Sequence, residues 1–155
     1  MFVAWGLLYI LQQDLKCGKY AKTEREKMLK TILLVEDEKN TRSTVTIILK
    51  SAGYDVLSAE NYDDAIKQIK EAKKSKQQIC LIITDLQLPG KSGKDLITEM
   101  KRMGIKAPVI VISGFIDREA ITELQKLGCR EYVEKPFSSE TLLKAIRRVM
   151  YHDQN

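Results

Sequence analysis

The sequence is poor in the residues that usually carry catalysis. It has a single histidine, His152 near the C-terminus, which removes any Ser/His or Cys/His nucleophile pair. Its three cysteines, Cys17, Cys80 and Cys129, are scattered and form no C-x-x-C pair, so neither a disulfide framework nor a thiolate zinc site is expected. A reducing, cytoplasmic setting fits this usage best. Cys80 within an apolar run and Cys129 after Gly128 read as small core residues. Aromatic residues make up only 6% of the chain, and the net charge of +5 is not arranged as an aromatic-interleaved basic groove. A solvated surface explains that charge better than direct DNA binding.

Much of the excess lies at the start, where Lys16, Lys19, Lys22, Arg25, Lys27 and Lys30 stand against Asp14, Glu24 and Glu26. The preceding apolar stretch, Met1 to Leu11, is too short to span a bilayer and lacks the basic start and small-residue cleavage site of a secretory signal. Two readings stay open for it. It is either a peripheral membrane-contacting or partner-binding helix, or sequence upstream of a true translation start at Met28. Residues 1–29 are therefore set apart as an N-terminal extension, and residues 30–152 form one domain with enough chain to bury an ordinary core.

What the domain does have is alternation. Thr31-Ile32-Leu33-Leu34-Val35 reads as a buried strand. Val45, Ile48, Leu49 and Ala52 then recur on one helical face, and Gly53 stands where a left-handed C-terminal cap belongs. Tyr54 to Ser58 predicts a second strand, followed by a helix capped by Asn61 with Tyr62, Ala65, Ile66 and Ile69 inward; Lys70 to Gln78 reads as a solvated helix end and loop. Ile79 to Asp85, closed by Pro89-Gly90, is a strand buried on both faces. Leu96, Ile97, Met100 and Met103 supply its helix. Pro108 to Ile112 predicts a fourth strand ending at Ser113-Gly114, and Asp117 caps a helix carrying Ala120, Ile121, Leu124 and Leu127. Glu131 to Glu134, less apolar, reads as an edge strand that ends at Lys135-Pro136-Phe137. Ser138 or Ser139 caps a last helix bearing Leu142, Ala145, Ile146 and Val149.

Five βα units in series predict an α/β fold, a doubly wound parallel sheet with right-handed crossovers. The flavodoxin-like order 2-1-3-4-5 places the topological switch between the first and third strands, whose carboxyl ends carry Glu36, Asp37 and Asp85. Three converging carboxylates repel one another by about 4 kcal/mol per close pair at an effective dielectric of 20. Either a shared proton or a divalent cation offsets that, and hard oxygen ligands favour Mg²⁺ over zinc. Ser113 and Lys135, at the fourth and fifth strand ends, add a hydroxyl donor and a point cation. Asp85 is thereby surrounded with what a phosphoryl group needs, and a carboxylate already ionised at neutral pH attacks phosphorus without a separate base.

Glu36-Asp37, Asp85 followed by Leu88-Pro89-Gly90-Lys91-Ser92-Gly93, Ser113-Gly114 and Tyr132-Val133-Glu134-Lys135-Pro136-Phe137 resemble the receiver domain of two-component response regulators over roughly Lys30 to Tyr151. The resemblance implies that Asp85 is the phosphoacceptor, supplied by a phosphohistidine on a histidine kinase or phosphotransfer protein. It also implies Mg²⁺ held by Glu36, Asp37, Asp85 and the backbone carbonyl of Gln87, with phosphoryl oxygens met by Ser113 and Lys135. Tyr132 matches the aromatic switch position that responds to Ser113, and Gln87 and Phe115 match the two positions that tune the lifetime of the acyl phosphate. Glu36 departs from the commoner Asp, and its extra methylene suits contact through a metal-bound water.

The end of the chain soon after the last helix leads to the expectation of a stand-alone receiver. Such a protein signals by contact between its α4-β5-α5 face and a downstream protein, or serves in a phosphorelay, as a monomer or a phosphorylation-dependent dimer. On this reading it is no enzyme in its own right, although it assists its own phosphorylation and dephosphorylation. The competing readings are a receiver-fold binding module that works without phosphate and a Mg²⁺-dependent aspartyl-phosphate phosphatase of haloacid-dehalogenase type. The second expects an acid two residues beyond the aspartate, where Gln87 stands. A flavin site is disfavoured because Glu36-Asp37 repel a phosphate at the first βα loop.

Overall fold

In a computed structural model, residues 30–152 are described; the expectations for residues 1–29, including the Met1 to Leu11 helix and Cys17, lie outside them. Five strands, β1 (Thr31–Val35), β2 (Asp55–Ala59), β3 (Ile79–Asp85), β4 (Val109–Ser113) and β5 (Glu131–Glu134), alternate with five helices. These are α1 (Lys39–Ser51), α2 (Tyr62–Ser75), α3 (Gly93–Arg102), α4 (Arg118–Lys126) and α5 (Ser139–His152). All neighbouring strands pair in parallel, in the order β2-β1-β3-β4-β5. The expected flavodoxin-like doubly wound sheet is what forms.

Alternation along the central strands divides the core between the two faces of the sheet. Ile32, Leu34, Leu81, Ile83, Ile110 and Ile112 pack with Val45 and Leu49 of α1 and Leu142, Ala145 and Ile146 of α5. Leu33, Val35 and Ile82 point the other way, onto Ala65, Ile66 and Ile69 of α2 and Leu96 and Met100 of α3. Each fully buried aliphatic side chain contributes roughly 2 kcal/mol. A smaller cluster of Leu86, Ile97, Val111, Leu124 and Cys129 lies under α4, the helix with Leu124 as its one buried residue. Strand β5 buries only Val133, as an edge strand does.

Local chemistry sets the helix ends. Asn61 accepts from the Asp64 amide and Asp117 from the Ala120 amide, as expected, and of the two serine candidates Ser138 caps α5 by accepting from the Thr141 amide. Two starts were hidden in the sequence pattern. Glu38 caps α1 with its carboxylate, and Ser92 with Asp95 forms a reciprocal capping box on α3, devices worth about 1 kcal/mol each. Helix α2 runs on to Ser75 with Ala72 buried and ends at Lys76, a non-glycine residue at φ 58°. Cys129 is buried and Cys80 half-buried, both as free thiols, and burial pushes both thiols up from their ordinary range. No described helix is long and apolar enough to cross a membrane.

Candidate phosphoryl and metal site

Because the strands are parallel, their carboxyl ends open on one edge of the sheet, and the register sets which residues meet there. Val35 is level with Thr84, Asp85 with Ile112, and Ser113 with Glu134. The residue just past β1, the last of β3, the last of β4 and the one just past β5 therefore share a single edge. They are Glu36, Asp85, Ser113 and Lys135.

One carboxylate oxygen from each of Glu36, Asp37 and Asp85 lies within 4.8 Å of the other two. At that spacing each ionised pair repels by about 3–4 kcal/mol at an effective dielectric of 20. The Lys135 ammonium answers part of it, at 2.6 Å from Asp85 Oδ2 and 2.7 Å from Glu36 Oε2. Burial works against that cation, but the hydrogen bonds and charges of Asp85 and Glu36 outweigh it and hold the Lys135 pKa above its ordinary value. Glu36 is fully buried, and its desolvation pushes its carboxyl above the usual glutamate range despite Lys135.

The donor set fits a hard divalent cation. Three carboxylates face one ammonium, a formal excess of two negative charges. The cluster contains no histidine or cysteine, and Mg²⁺ takes oxygen donors while keeping several waters. Glu36 Oε2 is a buried oxygen that meets the Lys135 ammonium at 2.7 Å, while the same ammonium also donates to Asp85. A carboxylate oxygen has two lone pairs, so one ammonium contact leaves it able to meet a water or a further cation as well.

Asp85 is otherwise held on both oxygens. The Gln87 amide donates to Oδ1 at 2.9 Å and Lys135 to Oδ2. Ser113 is buried at the end of β4, where its hydroxyl donates to the Phe115 carbonyl at 3.1 Å, and the Lys135 amide donates to the Ser113 carbonyl at 2.8 Å. Tyr132 lies outside the cup, 45% exposed on the outer strand, and Phe115 is 70% exposed on the β4–α4 loop. The edge thus gathers Glu36, Asp37, Asp85 and Lys135 tightly, keeps Ser113 adjacent, and leaves Tyr132, Phe115 and the Gln87 side chain at its rim.

Two residues escaped sequence reasoning. Gly93 begins α3 directly against the end of β3, and a Cβ there would lie 2.1 Å from the Asp85 carbonyl oxygen. The Gly93 amide also donates to Leu86 O at 2.9 Å. The glycine stood in the quoted Pro-Gly-Lys-Ser-Gly run, but only the loop's return onto β3 shows why a side chain is forbidden. Arg42 is the other: from α1 its guanidinium donates to the carbonyls of Glu36 and Asp37.

Known proteins resemble this chain in sequence and fold. The family model for the response regulator receiver domain matches residues 32–147. The phosphate regulon transcriptional regulatory protein PhoB of Escherichia coli (strain K12) is 34% identical over 125 residues, covering 79% of this chain and 52% of that protein. The transcriptional regulatory protein FixJ of Rhizobium meliloti (strain 1021) is 27% identical over 79% of this chain and 57% of its own length, so the chain spans about half the length of these curated relatives. Among solved structures, a response regulator receiver domain protein from Clostridium thermocellum is similar at 28% identity and TM-score 0.72, over 81% of this chain and 98% of that one. The chemotaxis protein CheY4 of Vibrio cholerae is similar at 28% identity and TM-score 0.70, over 78% and 98%. The convergent acids, the strand-end lysine and these matches lead to one conclusion: the chain belongs to the family of response regulator receiver domains of two-component signal transduction.

Proposed function

We propose that Asp85 accepts a phosphoryl group from a phosphohistidine on a histidine kinase or phosphotransfer protein. The observation that carries this reading is the placement of Asp85 Oδ2 2.6 Å from Lys135, inside a cup whose other carboxylates lie within 4.8 Å. An oxygen of Asp85 attacks phosphorus, the P–N bond breaks, and the electron pair leaves with the donor imidazole, which takes up a proton. Lys135 follows the charge onto a phosphoryl oxygen, and Ser113 exchanges its Phe115 acceptor for another. Glu36, Asp37, Asp85 and the backbone carbonyl of Gln87 would hold Mg²⁺, which when bound neutralises charge on the transferring group.

Phosphorylation adds roughly −1.5 to −2 charge at the cup. Movement of Ser113 toward it releases the β4–α4 loop and gives the Tyr132 ring a reason to turn inward, which alters the face formed by α4, β5 and α5. Output through that face is to a downstream protein. The setting proposed is cytoplasmic. A phosphatase reading is weaker because the residue two beyond Asp85 is Gln87, which contributes its amide and no acid.

Incubation with acetyl phosphate and Mg²⁺, followed by intact-mass measurement, tests the reading. The wild type should gain one phosphoryl group and Asp85→Asn none. Steady turnover of the donor without an adduct would favour a phosphatase. No reaction with acetyl phosphate or a phosphorylated kinase would leave a binding module.

A further inference from the structure

Arg42 sits in the first turns of α1, where a cation runs against the helix dipole, so helix stability does not account for it. Its side chain is 18% exposed, and Nη1 donates to Glu36 O at 2.6 Å and to Asp37 O at 3.0 Å. Nη2 lies 3.6 Å from Glu60 Oε2, just past the end of β2. One guanidinium therefore ties the main chain of two adjacent acids to the helix that follows and to the neighbouring strand's loop. Glu36 is held from the strand side as well, since its amide donates to Ala59 O at 3.0 Å.

We infer that Arg42 is a positioning residue for the acidic cup: it engages the carbonyls of Glu36 and Asp37 on the α1 side, so that the β1–α1 turn offers its carboxylates to a divalent cation. This rests on the Mg²⁺ reading above. Both bonds leave one nitrogen, Nη1, whose two N–H directions are fixed by the guanidinium plane, whereas a lysine ammonium on a flexible stem has no such fixed directions. The bonds to carbonyls matter more than the Glu60 contact, because Glu60 is 64% exposed and such an ion pair is worth little.

The test uses the full chain, with Mg²⁺ affinity measured by calorimetric titration, amide shifts of Glu36 to Glu38 followed by NMR, and metal-free melting recorded alongside. Arg42→Met should weaken Mg²⁺ binding about tenfold, as loss of an outer-shell partner does, and shift the turn's amides before any metal is added. Arg42→Lys should recover only part of the affinity and supplies the answer should Arg42→Met fail to fold. Glu60→Gln should change affinity about twofold or less. Wild-type Mg²⁺ affinity in folded Arg42 variants, even with lowered melting temperatures, would reduce Arg42 to a structural residue and overturn the inference alone. Absence of Mg²⁺ binding by the wild type would overturn the metal reading and this inference with it.

Discussion

The centre and the rim of the carboxyl edge are built differently. Asp85 ends β3, which is paired on both sides and lies in the middle of the sheet, and Glu36 follows β1, the other strand at the switch point. Both are buried, and the two carboxylate oxygens of Asp85 are held by the Gln87 amide and by Lys135. At the rim, Tyr132 projects from an edge strand with a single buried residue, Phe115 projects from a loop, and α4 beside them buries only Leu124. Elements with little buried apolar area open and repack at low free-energy cost. The difference suggests a division of labour: chemistry where the backbone has one arrangement, readout where it has room for two.

The sharpest way to break that comparison is through two glycines. Gly93→Ala places a Cβ against the Asp85 carbonyl, and because the clash is with backbone the strand end or α3 must shift; a cost of about 2–3 kcal/mol in urea denaturation is expected, with loss of phosphorylation. Gly114→Ala, on the rim, meets no atom within 4 Å and should stay within about 0.5 kcal/mol. Equal effects would show that the centre is no more constrained than the loop.

Next in size is Glu36. A carboxyl whose folded-state pKa is raised favours folding below the ordinary glutamate range and loses that contribution as pH rises through its folded value. Ionised Glu36 is therefore a liability to the metal-free domain at neutral pH. Glu36→Gln should raise the urea midpoint at pH 7 without metal, by an amount that shrinks as pH falls through the raised folded-state value towards the ordinary glutamate range, while Mg²⁺ should stabilise the wild type more than the variant. A midpoint lowered at pH 7 would show that Lys135 fully offsets the buried charge.

Much of the architecture was legible because core periodicity is a strong signal: each strand and helix announced itself by spacing, and the order 2-1-3-4-5 brought Glu36, Asp37, Asp85, Ser113 and Lys135 to one edge. Chain geometry was not legible in the same way. Lys76 carries no glycine signature yet takes the left-handed conformation, and the capping role of Glu38 competes in sequence with an apparent third acid of the Glu36-Asp37-Glu38 run. Gly93 and Arg42 act through main-chain oxygens, which no side-chain pattern displays.

Smaller effects belong to the rim. Ser113→Ala should still accept phosphoryl but lose the phosphorylation-induced shift of the Tyr132 ring resonances, since no hydroxyl remains to exchange Phe115 O for a phosphoryl oxygen; an undiminished shift would remove Ser113 from the relay. Phe115→Glu should shorten the life of the phosphorylated protein in a chase experiment, because a carboxylate replaces a bulky apolar group on the β4–α4 loop. An unchanged decay would place Phe115 outside lifetime control.

The central claim is that the acidic cup is completed by a divalent cation, and Mg²⁺ titration of the wild type against Asp37→Asn addresses it most directly, Asp37 being an exposed member of the cluster whose loss spares the core. Saturable single-site binding by the wild type, weakened at least about tenfold in the variant, is the expected result. Binding that is absent from both proteins, or equally tight in both, would contradict the account.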